Sequence, residues 1–76
     1  MKILTAGTLA YEDCLKTMSH PDLNIKGMVL KMSNGRFRVI RALGAGRYAS
    51  MYITSDYLKA KQELELIVYG TTSEWA

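Results

Sequence analysis

Few residues in this 76-residue chain are of a type that does chemistry, and their spacing limits what they can do. There is one cysteine, Cys14, and one histidine, His20. Cys14 falls on an apolar stripe of helical spacing, and a thiol buried on such a stripe is inert. His20 lies beyond the end of that stripe, before Pro21, so local spacing builds no Cys–His pair. It is expected to cap the last helical carbonyls or to face solvent. One Cys and one His cannot supply the ligands of a structural zinc. No metal and no other cofactor is expected.

The carboxylates give no acid–base pair. Glu12 and Asp13 are adjacent on a predicted helix, so they diverge, and they suit the positive end of its dipole. Glu63 and Glu65 share one face of a predicted strand and read as solvent-facing charge. Gly44-Ala45-Gly46-Arg47 lacks the spacing and the Lys-Ser/Thr of a nucleotide P-loop, and it joins two strands instead of opening a helix. It reads as a hairpin turn whose backbone N–H groups could at most hold an anion loosely. The chain is therefore not expected to be an enzyme.

One constellation stands out. Residues 23–55 hold Lys26, Lys31, Arg36, Arg38, Arg41 and Arg47 with no acid, a charge of +6. The remainder holds four lysines against seven acids, a charge of −3. Such asymmetry steers partners more than the net charge of +3 does. Lys31, Arg36, Arg38, Tyr48 and Tyr52, with Arg47 at the second turn, are the candidate binding residues. Cations interleaved with rings suit single-stranded nucleic acid, the cations taking phosphates and the rings stacking bases. They equally suit an acidic protein surface, because Tyr and Arg dominate protein interfaces.

The elements that must position these residues follow from the turns. Asn34-Gly35 between two apolar-alternating runs predicts a two-residue type I′ hairpin loop. That sets Lys31 opposite Arg38, Leu30 opposite Val39 and Met32 opposite Phe37. Gly44-Ala45-Gly46 predicts a three-residue loop, with Ala42 opposite Tyr48, Ile40 opposite Ser50 and Arg38 opposite Tyr52. Met28, Leu30, Met32, Phe37, Val39, Met51 and Ile53 then form the core face. Arg41 alone falls on that face and is expected at the sheet's end or at a bulge. Lys31 and Arg38 are like charges directly opposed, so neutralising Arg36 and Arg38 is expected to leave stability unchanged or slightly raised.

Tyr11, Cys14, Leu15 and Met18 at i, i+3, i+4, i+7 predict a helix over 9–19 with Thr8 as its N-cap, ended by His20-Pro21. Thr54-Ser55-Asp56 caps a second helical piece through Leu64. Glu65 to Tyr69, β-branched and aromatic, predicts a strand. The expected fold is α+β: an N-terminal amphipathic helix on a twisted antiparallel three-stranded meander (about 25–32, 36–43 and 47–53) closed by a C-terminal strand (about 64–69). A small partly open β-barrel is the alternative. A single domain over 1–70 and a polar tail over 71–76, whose Trp75 docks or dangles, complete the organisation.

A chain of this size buries roughly 60% of its unfolded surface, a thin core that is compatible with a homo-oligomer. No apolar run approaches a bilayer span, and Lys2-Ile3-Leu4 followed by Thr-Ala-Gly-Thr is not a signal-peptide pattern. With one cysteine, no internal disulfide forms. A cytoplasmic location without membrane contact is expected. The functional expectation is a small non-enzymatic binding module for nucleic acid, RNA or single strand favoured. The alternative is a small regulatory or inhibitory accessory protein, viral or from a mobile element, docking on a protein through the same Arg/Tyr surface.

Overall fold

The computed structural model describes residues 2–70; the tail with Trp75 lies outside them. Its elements are β1 (Lys2–Thr5), α1 (Ala6–Leu9), β2 (Asp13–Ser19), β3 (Lys26–Lys31), β4 (Phe37–Gly44), β5 (Arg47–Thr54) and α2 (Tyr57–Glu65), followed by a π-helical turn, Leu66–Gly70. The strands make one five-stranded sheet in the order β1-β5-β4-β3-β2, antiparallel throughout. The sheet is open, and no barrel closes. No helix among the described residues is long and apolar enough to cross a membrane.

Two expected elements change type. The predicted helix over 9–19 is mostly a strand, β2, with only Ala6–Leu9 helical before it. Pairing explains this: β2 runs beside β3 from Asp13 opposite Lys31 to Ser19 opposite Lys26, and a bulge at Leu15 resets its alternation. Short helices are marginal unless packing supports them, whereas this strand gains a ladder and places Met18 against the main core. The predicted strand over 64–69 instead prolongs α2. Ala60, Leu64 and Val68 recur every fourth residue and are fully buried, which is helical spacing. Asp56 caps α2, its Oδ1 accepting from the Leu58 N–H at 3.0 Å.

Both hairpin loops differ from expectation, and they exchange types. Ser33-Asn34-Gly35 is a three-residue loop closed by Met32 N–H to the Arg36 carbonyl at 2.8 Å, with Gly35 at φ 85°. The pairing slips by one, so Val29 faces Val39, Met28 faces Ile40, Leu30 faces Arg38 and Lys31 faces Phe37. The two-residue loop is Ala45-Gly46, with φ 55° and 73°, both positive as a type I′ turn needs. Ala42 faces Tyr48 and Ile40 faces Ser50. A bulge at Met51 then puts Val39 opposite Tyr52, Arg38 opposite Ile53 and Phe37 opposite Thr54.

A one-residue slip moves side chains to the other face, and the core divides accordingly. Between α2 with its π turn and the sheet, Ile25, Val29 and Val39 meet Ala60, Leu64 and Val68, with Met18, Phe37, Tyr52 and Tyr57 against them. Gly27 allows this contact, since a Cβ there would sit 2.6 Å from Leu64 Cδ1 and 3.0 Å from the Ile40 carbonyl. The opposite face buries Leu4, Leu9, Leu30 and Ile40, with Met28 and Tyr48 beside them. Met28 and Leu30 thus leave the face of Val39, and Met51 and Ile53 are exposed instead of core. The strap over this second face is residues 6–12, which run from β1 at one sheet edge to β2 at the other.

Candidate functional site

The six candidate residues do not share one face. Arg38 lies under the strap, and its Nε donates to Glu12 Oε1 at 3.1 Å while its Nη1 donates to Ser50 Oγ at 3.1 Å. The Arg38 and Glu12 side chains are only 13% and 12% exposed, so this is a largely buried ion pair that fastens the strap. Lys31 and Tyr52 lie on the face under α2, Lys31 opposite Phe37 and Tyr52 packed against the core. Tyr48 is on the other face, half-buried against Leu4, Leu9 and Ile40. The predicted Lys31–Arg38 repulsion is absent, because alternate positions on neighbouring strands point to opposite faces.

The remaining pair sits at turns. Arg36 is exposed after the first loop, its backbone N–H donating to Asn34 Oδ1 at 3.0 Å. Arg47 is exposed after the second loop, opposite both Gly44 and Thr5. Lys31 and Arg36 therefore stand at one end of the sheet, and Arg47 and Tyr48 at the other. The length of β4, Phe37 to Gly44, separates them, roughly 25 Å at the rise of a strand.

At the Arg47 end the sheet carries a cleft of about 340 Å³, lined by Asn24, Lys26, Arg41, Ala42, Leu43 and Gly44. Arg41 is on the face of Val39 as its spacing implied, in the last β3–β4 pair with Gly27 and opposite Ala49, toward the sheet's end and not at a bulge. Among the described residues the ion pairs are Arg38–Glu12 and Lys59–Glu63, the latter at 3.7 Å. Lys26, Lys31, Arg36, Arg41 and Arg47 thus make none.

The residues set aside as structural also change place. Cys14 is exposed on the edge strand β2, its Sγ 3.4 Å from Thr17 Oγ1, and not on a buried stripe. His20 caps a turn instead of a helix, with Nδ1 accepting from the Asp22 and Leu23 N–H groups at 3.0 Å each. Glu63 pairs with Lys59 on α2, and Glu12 is the strap's anchor instead of a helix first-turn charge. Among the described residues no group of three or more His, Cys, Asp or Glu is placed to hold a metal ion.

Sequence reasoning missed Asn24 and Lys26 as neighbours of Ala42 and Gly44. The small residue opposite Tyr48 was legible, but placing Lys26 beside it required the true β3–β4 register. Compared with known protein families, curated proteins and solved structures, the chain matches none.

Proposed function

We propose that this protein is a non-enzymatic binding module for an anionic partner, and that the partner is nucleic acid, RNA or single-stranded in preference to duplex. One observation carries the reading: five cations from a single acid-free stretch make no ion pair among the described residues. The cations sit at both ends of the sheet, which a flexible strand can follow. A duplex is commonly read by a basic helix in the major groove, and α2 instead follows Lys59 and Lys61 with Glu63 and Glu65, so it carries no net charge.

A salt titration of binding to a labelled single-stranded oligonucleotide tests this. Affinity should fall log-linearly with salt, by about 0.7 in slope for each phosphate neutralised. Arg36→Gln with Arg47→Gln, both exposed, should lower that slope by about 1.4. A second reading, a regulatory or inhibitory protein docked on another protein, has its own support in the exposed Leu58, Leu66 and Tyr69 along α2 and the π turn. A protein interface of that kind would respond little to salt and would be insensitive to the two arginine changes.

A further inference from the structure

The cleft beside Lys26 is lined from β3, β4 and the segment before β3, and Tyr48 of β5 stands on the next strand, outside the lining itself. Ala42 on β4 is directly opposite Tyr48 on β5. Lys26 on β3 lies one step beyond the Gly27–Arg41 pair, beside Ala42. Alternation puts all three on the face opposite α2. An ammonium, a methyl group and a phenol ring therefore stand in a row, with the Lys26 and Tyr48 backbones two inter-strand spacings, about 10 Å, apart.

Each position has a chemical use. Lys26 is exposed and without an ion pair among the described residues, so its ammonium is available to a phosphate. Ala42 lines the cleft and leaves space above the sheet between the two larger side chains. Tyr48 packs half-buried against the cluster of Leu4, Leu9, Leu30 and Ile40, which leaves part of its ring to solvent. Asn24 lines the same cleft with an amide that can both donate and accept. Arg41 also borders the cleft, although its position in the strand belongs to the face of Val39, and no acid lines the cleft. The volume of about 340 Å³ is at the small end of ligand sites, more room than a bare phosphate needs.

We infer that this cleft seats one nucleotide unit, its phosphate on Lys26 and its base lying over Ala42 toward the Tyr48 ring. The inference deepens the nucleic-acid reading and rests on it for the source of the nucleotide, since a free nucleotide carries the same chemistry.

The test follows backbone amide resonances of the full chain during titration with inorganic phosphate, a nucleoside monophosphate and a short single-stranded oligonucleotide. Two variants accompany it: Ala42→Leu, which fills the cleft, and Lys26→Gln, an exposed change that keeps the test valid if the first variant folds poorly. The expected result is that the monophosphate and the oligonucleotide both shift amides of 24–26 and 41–44, and phosphate alone shifts fewer. Ala42→Leu should weaken the oligonucleotide at least about five-fold, the loss of one stacked base. Salt-dependent oligonucleotide binding that leaves those amides unmoved, and that both variants retain, would overturn the seat while the binding reading stands. Monophosphate binding in the cleft without oligonucleotide binding would support the seat and overturn the nucleic-acid reading. Absence of binding by all three probes would overturn both.

Discussion

Arg38 shows how far one side chain's neighbours decide its role. As part of a charged surface its loss would matter only to a partner. Joined to Glu12 and Ser50 beneath the strap, it satisfies a carboxylate that has little access to water. Removing one member of a buried pair leaves the other uncompensated, at a cost of about 3 kcal/mol or more. Arg38→Ala should therefore lower stability in urea unfolding by about that amount. Glu12→Ala with Arg38→Ala should cost less than the two single changes added, because no charge is then stranded. An additive double-mutant cycle would show that the two side chains do not interact. The neutralised Arg36 and Arg38 pair is thus expected to lose stability, the reverse of what the sequence alone suggests. The charge excess over 23–55 was legible from composition. The Glu12–Arg38 bond was not, because no local rule links residues so far apart in the chain.

At the level of elements, the three strands nearest the Gly-containing turns were found within a residue or two, since alternation and turn residues mark them together. Their register was not. Asn-Gly favours a two-residue loop, yet here a three-residue loop lets Val29 meet Val39 under α2 while Leu30 meets Arg38 under the strap. Burial on both faces outweighs the preference of one turn. β2 was misread for a related reason: a bulge at Leu15 breaks the period of two, and the resulting spacing imitates a helix. The stretch after Glu65 was misread because β-branched residues favour strands in general, although the four-residue recurrence of Ala60, Leu64 and Val68 was present. The sheet–helix contact can be probed at Gly27. Gly27→Ala places a Cβ 3.0 Å from the Ile40 carbonyl, which cannot turn aside as the end of Leu64 can. Overpacking of this kind costs about 1–3 kcal/mol, a fall in Tm of at least about 4 °C for a domain of this size. An unchanged Tm would mean that α2 rides more loosely on the sheet than its packing implies.

For the molecule as a whole, the open sheet is covered on one side by a two-turn helix and its π turn and on the other by a strap with a one-turn helix. Neither cover alone is a large core. Both sheet faces contribute, which is how a chain this short reaches eleven buried apolar side chains among the described residues. The same economy disperses the cations to the ends of the sheet, because its middle is occupied on both sides. A single flat recognition face, the arrangement expected from the sequence, has no room here.

The place of β1 sets an order of events in time. It precedes every other element of the sheet in chain order, and among the described residues its one partner strand is β5, with Leu4 opposite Tyr48. Chains emerge N-terminus first, so β1 and the strap must wait until most of the domain has been made. The β3–β4 and β4–β5 hairpins, closed by short loops, can form meanwhile at small entropic cost. Leu4→Ala, a cavity at a buried site, should cost about 2–5 kcal/mol and act almost wholly by speeding unfolding, giving a φ-value near zero. A φ-value near one would make the edge strand part of the nucleus. With a φ-value near zero, the first strand of the sheet in chain order is the last to find its place in it.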